Sequence, residues 1–183
     1  MNEADKQHHI AVVLGTARTG RESARVALAL VVAAQLRGHR VTLVDVADHQ
    51  LSRTIAPGED VPETAQWKQI AADADGFIWV IPEYNHSYPG EFKLLIDAAF
   101  DEYARKPVAL ATVSVGGFGG SRLTEVARVL ASVVGAVPIP KALNVSRVVD
   151  SFAEDGTITD VAYEARIATV MDDLGWYLDR LRD

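Results

Sequence analysis

The chain predicts an α/β protein in which helices sandwich a parallel sheet, and two observations carry that reading. Short continuous apolar runs alternate with longer stretches whose apolar residues recur at i, i+3, i+4 and i+7, the pattern of buried parallel strands interleaved with covering helices. The composition is that of an ordinary globular protein: 183 residues, 49% apolar and 23% charged. A chain of this size buries roughly 70% of its unfolded surface, enough for a full core without covalent staples.

The strand runs are Ile10 to Leu14, Val41 to Val46, Phe77 to Ile81, Val108 to Val113, and a weaker one from Ala136 to Val145. Five strands is the simplest count. Ala27, Leu30, Val31 and Ala34 form the first helical stripe, and Gly38 follows where a left-handed helix end fits. The segment from Ala47 to Glu63, with His49, Pro57, Gly58 and Pro62, reads as a long loop of the kind that serves as a lid, followed by a helix around Trp67 to Ala74. Stripes recur at Phe92, Leu95, Ile96 and Ala99 after Pro89, and at Leu123, Val126, Ala127 and Leu130 before Gly135. Glu154, Asp155 and Gly156 mark a turn between two short extended pieces. A last helix from about Asp160 sets Ile167, Val170, Met171, Leu174, Tyr177, Leu178 and Leu181 on one side. One domain over residues 1–183 is expected.

Composition also excludes chemistries. Without cysteine there are no disulfides, thiolate metal sites or cysteine nucleophiles. The polar start, Met1 to His9, and the lack of an apolar run near ~18 residues predict a cytoplasmic protein with no membrane partner. With 18 basic and 25 acidic residues, a net charge of -7 and scattered arginines, no nucleic-acid partner is expected. His8 and His9 would enter a strand on opposite faces, so they share no metal site.

In an open parallel sheet, ligands bind beyond the carboxyl ends of the strands, and three loops there are unusual. The first, Gly15 to Ser23, joins a strand to a helix start and offers Thr16, Arg18, Arg21, Glu22 and Ser23. Hydroxyls, backbone N–H groups and guanidinium groups at a positive helix end suit a terminal phosphate. The loop has neither the G-x-G-x-x-G of a dinucleotide site nor a P-loop lysine, and a plain strand-to-helix turn with solvated arginines also fits it. The second, Pro82, Glu83, Tyr84, Asn85, His86, Ser87, Tyr88, Pro89 and Gly90, is stiffened by two prolines; it would hold N–H groups toward a flat heterocycle lined by Tyr84 or Tyr88. Glu83 equally suits the cap of a turn, and a loop histidine such as His86 is more often solvated than a base. The third, Ser114 to Arg122, carries Gly116, Gly117, Phe118, Gly119 and Gly120. Four glycines in five positions suggest close backbone approach to a ligand, or positive φ.

These residues resemble the NADPH-dependent FMN reductases, flavodoxin-like flavoenzymes that include quinone, azo-dye and chromate reductases. The matching pieces are Gly15 to Ser23, Asp75 to Pro89 reading DGFIWVIPEYNHSYP, Lys93 with Asp97, and Val113 to Arg122 reading VSVGGFGGSR. The Pro-Glu-Tyr-Asn block is the most specific. The resemblance implies a doubly wound, flavodoxin-like five-stranded sheet of order 2-1-3-4-5 with helices on both faces and FMN across its switch point. It further implies phosphate contacts from the loop holding Thr16, Arg18 and Ser23, ribityl and ring contacts from Pro82 to Asn85, and pyrimidine-end contacts from Gly116 to Gly119. The activity implied is transfer of hydride from NADPH or NADH to bound FMN, and of two electrons onward to a quinone, free flavin, azo dye or metal oxyanion. No side chain need act as acid or base. Assembly as a homodimer or homotetramer is implied too.

The chain departs from the family in having Leu94 after Lys93, in place of the usual asparagine, and Ala98 after Asp97, where an aromatic is common. Leu94 falls off its helix's apolar stripe, so we expect it in a dimer interface. Arg53 and Arg122 are candidates for contact with the adenosine 2′-phosphate. A flavodoxin-type one-electron carrier and a flavin-binding module without turnover share the fold and remain alternatives.

Overall fold

The structure is a computed structural model that describes residues 7–49, 51–56, 59 and 61–181. Met1 to Lys6, Pro57 and Gly58, about which the sequence made expectations, lie outside the described residues. The strands are β1 (His9–Leu14), β2 (Arg40–Asp45), β3 (Gly76–Pro82), β4 (Pro107–Val113) and β5 (Val137–Val145). The helices are α1 (Ser23–Leu36), α2 (Pro62–Asp73), α3 (Gly90–Asp97), α4 (Ser121–Val133), α5 (Val148–Ser151) and α6 (Ala162–Arg180). All strand pairs are parallel, in the order β2-β1-β3-β4-β5. The order reverses between β1 and β3, which opens a crevice at their carboxyl ends. Register brings those ends level: Leu14 lies opposite Asp45 and Val80, and Pro82 opposite Val113. The three unusual loops therefore leave the sheet at one edge.

Alternation along each strand divides the core in two. Ile10, Val12 and Leu14 of β1 face α1 and α6, where they meet Leu30, Ile167, Met171 and Leu174. Ala11 and Val13 face α2, α3 and α4, against Trp67, Phe92, Leu95 and Leu123. On that side Trp79 packs edge-on to Phe92 at 5.3 Å, and the buried Tyr103 hydroxyl donates to Ile96 O at 2.9 Å. Truncating a core tryptophan such as Trp79 to alanine would destabilise the fold by about 3–5 kcal/mol. The last helix presents its apolar stripe as read, though it begins at Ala162 and leaves Leu181 just past its end.

Three details differ from the sequence reading. Val126 is 37% exposed, and Thr124 takes the inward place on α4, because its hydroxyl accepts Asn144 Nδ2 at 2.7 Å in a polar cluster with Thr112. Val46 belongs to a 3-10 turn, Val46–Asp48, whose start Asp45 caps by accepting Ala47 N–H at 2.9 Å. The short helix α5 has no counterpart among the elements expected from the sequence. Beyond it, the turn at Glu154 to Gly156 does join two extended pieces, bridged at Phe152 and Ile158. No described helix is long and apolar enough to cross a membrane. His8 and His9 diverge, as alternation requires: His8 meets Asp179 at 2.8 Å, and His9 meets Asp73 O and Thr42 Oγ1.

Candidate functional site

Residues from all three loops line an open crevice of ≈ 380 Å³, within the roughly 300–1,000 Å³ typical of small-molecule sites. Its wall includes Arg18, Arg21, Glu22 and Ser23 from the first loop, Pro82, Glu83 and Tyr84 from the second, and Ser114 from the third. Gly20, Val113, Val115 and Val148 complete it. Of these, Val148 had no sequence signal, because α5 was not foreseen. Thr16, Asn85, His86, Gly116, Gly117, Phe118 and Gly119 lie outside the wall, and so does every described residue of the long loop from Ala47 to Glu63.

The first loop sorts its polar groups into supports and free groups. Thr16 is fully buried; its hydroxyl donates to Glu91 Oε1 at 3.0 Å and lies 3.3 Å from the Tyr84 hydroxyl, while Ala17 N–H donates to the same Glu91 oxygen at 2.9 Å. Partial burial pushes the Glu91 carboxyl up, but hydrogen bonds from Ala17 N–H, its own N–H and the Thr16 hydroxyl outweigh it and hold the group below the ordinary glutamate value. Arg21 is also a strut: both arms of its guanidinium meet the Asp45 carboxylate at the end of β2, and one donates to Thr16 O at 2.7 Å. Glu22 turns to Arg25. That leaves Arg18 and Ser23. Arg18 is exposed, pairs with no carboxylate among the described residues, and lies 5.8 Å from the centre of the Tyr84 ring. Ser23 begins α1, whose first turn has no side-chain cap and no acidic residue. Ser23 lines the crevice and is 2% exposed, and its buried hydroxyl has no hydrogen-bond partner among the described residues.

A buried hydroxyl without a partner is costly, by about 1–3 kcal/mol, and is rare in native structures unless something else completes it. At an uncapped helix start beside an unpaired guanidinium, the group that would complete it is an anion.

The second loop continues the sheet, with Glu83 N–H donating to Val113 O at 2.9 Å, and then reverses in a two-residue turn. Tyr84 and Ser87 exchange both backbone hydrogen bonds, at 2.9 and 3.0 Å, around Asn85 and His86 with φ of 51° and 64°. Left-handed residues at both central positions make this a type I′ geometry, which normally selects Asn-Gly. The stiffness expected from prolines thus comes largely from this turn. Glu83 caps α4, its Oε2 accepting Leu123 N–H at 3.1 Å. Tyr84 lines the crevice, whereas Tyr88 turns inward onto Phe92 at 5.9 Å.

In the third loop the glycines divide into two roles. Gly120 has φ of 74°, and a Cβ there would lie 2.8 Å from Thr112 Cβ, so positive φ and close packing both require glycine. A Cβ at Gly116 or Gly117 would meet nothing within 4 Å and both residues are exposed, while the Gly116 carbonyl accepts the Ser114 hydroxyl at 3.0 Å and Arg147 N–H at 3.4 Å. Phe118 is 71% exposed, and the Arg122 guanidinium covers its ring at 4.9 Å. No group of His, Cys, Asp or Glu among the described residues is arranged to hold a metal ion.

Residues 8–150 match the family model described as NADPH-dependent FMN reductase. The chain belongs to that family. Among curated relatives, an NAD(P)H-dependent FMN reductase of Schizosaccharomyces pombe is 35% identical over 127 residues, covering 61% of this chain and 62% of the relative. A quinone reductase of Pseudomonas putida is 33% identical over 121 residues, covering 62% and 63%. The matched stretch thus spans just under two thirds of these relatives' lengths. Among solved structures, the flavoenzyme NAD(P)H:(acceptor) oxidoreductase FerB from Paracoccus denitrificans superposes with a TM-score of 0.79 at 22% identity, covering 95% of this chain and 98% of the other. A flavodoxin, WrbA-like protein from Agrobacterium tumefaciens gives 0.65 at 16%, covering 96% and 99%. These likenesses show the flavodoxin-like fold that the family resemblance implied. The family's Lys-Asp pair is an ion pair within α3, Lys93 to Asp97, with Leu94 half-buried beside it.

Proposed function

We propose that the chain is an FMN-dependent oxidoreductase that draws electrons from NADPH or NADH and delivers them to a small acceptor, with quinones the leading class. The observation that carries the reading is Ser23, which lines the crevice at the uncapped start of α1 with a buried hydroxyl that has no partner among the described residues. With Arg18 beside it, this end suits the phosphate of a mononucleotide. Arg21 and Thr16 shape the loop from behind, and Glu22 closes its end. Pro82, Glu83 and Tyr84 would lie along the ribityl chain and ring, with Asn85 and His86 at the turn holding Tyr84 in place. Ser114, Gly116, Gly117, Phe118 and Gly119 would flank the pyrimidine end, where backbone N–H groups favour negative charge on the ring as they do in an oxyanion hole.

When bound, FMN supplies the two-electron chemistry. The protein's part is to grip the phosphate, fix the ring edge and leave one face uncovered for donor and acceptor in turn. That division of labour assigns no side chain as acid or base. Free flavin, azo dyes and metal oxyanions are the rival acceptors for the same open face. An enzyme fed by reduced nicotinamides fits the cytoplasm, and a homodimer or homotetramer joined through Leu94 on the outer side of α3 fits its partly covered apolar side chain.

Anaerobic addition of NADPH to the FMN-loaded protein tests the reading. Direct two-electron bleaching of the flavin absorbance, restored by a quinone, supports it. A stable one-electron form on dithionite titration would favour the carrier, and no bleaching by either nicotinamide would favour a module without turnover.

A further inference from the structure

The two arginines singled out as possible phosphate readers differ sharply in their surroundings. Both arms of Arg53 engage Glu59, at 3.1 and 2.5 Å, so its charge is already matched. Arg122, at the start of α4, pairs with no carboxylate among the described residues. Its guanidinium covers the exposed Phe118 ring at 4.9 Å and donates to His86 Nε2 at 3.3 Å. Glu83, on the same rim, turns its carboxylate to Leu123 N–H. The cluster therefore joins the second loop to the third, outside the crevice wall, with a positive charge that no carboxylate among the described residues pairs.

An exposed aromatic ring, a planar guanidinium free to make paired hydrogen bonds, and an adjacent imidazole are the chemistry that recognises a purine nucleoside bearing a phosphate monoester. Position selects which one. A nicotinamide donor must place its reacting ring inside the crevice, so its adenosine end must rest on the rim. We infer that Phe118, Arg122 and His86 form the subsite for the adenosine 2′-phosphate of the donor, and that this chain prefers NADPH to NADH through them. The inference rests on the reductase reading of the crevice.

The test measures binding of adenosine 2′,5′-bisphosphate and of adenosine 5′-monophosphate to the FMN-loaded protein by calorimetry, in wild type, Arg122→Met and Arg122→Lys. It also takes the ratio of kcat/KM for NADPH to that for NADH. Wild type should bind the bisphosphate at least tenfold more tightly than the monophosphate. Arg122→Met should abolish that difference and lower the kinetic ratio at least tenfold, while Arg122→Lys, which keeps the charge but loses the planar fork, should fall between. Equal binding of the two nucleotides by wild type, or an unchanged ratio in Arg122→Met, would overturn the inference. So would a variant that loses turnover of a sulfonated acceptor, relative to a neutral quinone, while keeping its donor ratio, since the site would then serve an anionic acceptor. Flavin absorbance retained by each protein after desalting tests the reading of the crevice separately.

Discussion

Replacing Ser23 with alanine should move stability and affinity in opposite directions. Ser23 is 2% exposed and its buried hydroxyl finds no partner among the described residues, so without a ligand the protein bears its desolvation without return. Removing the oxygen relieves up to about 1–3 kcal/mol of that penalty, offset in part by the small void it leaves. The flavin-free variant should therefore melt at the wild-type temperature or a few degrees above it. A bound phosphate would accept a hydrogen bond from this hydroxyl, and a bond to a charged group contributes about 1.5–3 kcal/mol. At roughly 1.4 kcal/mol per tenfold, the FMN dissociation constant should rise between about 10-fold and 150-fold. Thermal melts of the flavin-free protein and quenching of FMN fluorescence on titration measure the two quantities independently. A Ser23→Ala protein that loses more than about 1 kcal/mol of stability yet binds FMN like wild type would refute the reasoning, because the hydroxyl would then be structural.

Other outcomes follow from the same geometry. Arg18→Ala should weaken FMN binding at least tenfold in the same titration, with little effect on turnover at saturating FMN; equal affinity would remove Arg18 from the phosphate site. Glu91 sits below its ordinary value, so its contribution is present above the unfolded-state value near pH 4.3 and is lost as pH falls through the lower folded value. Melting temperatures of wild type and Glu91→Gln should accordingly differ near neutrality and converge in acid, and a constant gap down to pH 3 would contradict the tether to Thr16 and Ala17. Gly120→Ala, which forces a Cβ to 2.8 Å from Thr112, should destabilise the fold by about 1–3 kcal/mol in denaturant unfolding, whereas Gly116→Ala should stay within about 0.5 kcal/mol. Under the proposed assembly through Leu94, wild type should sediment as a dimer or tetramer at micromolar concentration and Leu94→Asp as a smaller species; equal sedimentation of the two would remove Leu94 from any interface.

Much of this architecture is visible in the sequence because central parallel strands are buried on both faces and must be apolar throughout. Phe77 to Ile81 shows this without ambiguity, and Val108 to Val113 departs from it only at Thr112, whose hydroxyl donates to Gly119 O at 2.9 Å. Where a polar residue takes an inward place, the pattern misleads: Thr124 displaces Val126 because Asn144, twenty positions on, supplies its hydrogen bond. The same limit applies in the first loop. Arg18 and Arg21 are indistinguishable by composition, and what separates them is Asp45 at the end of β2, a partner set by strand register. Glu91 is hidden for the same reason, since its role depends on α3 approaching Thr16. The turn at Asn85 and His86 escapes detection because no glycine marks it, although asparagine is the residue that best tolerates its first left-handed position. Ser23 is legible as a helix-start hydroxyl, but its burial without a partner is visible only in three dimensions.

The most direct measurement is the electron density of crystals grown or soaked with FMN. The account predicts a phosphate within hydrogen-bonding distance of the Ser23 hydroxyl and the Arg18 guanidinium, with the ring beside Tyr84 and one of its faces open to solvent. Density for the phosphate at another site, or a ring covered on both faces by this chain, would contradict it.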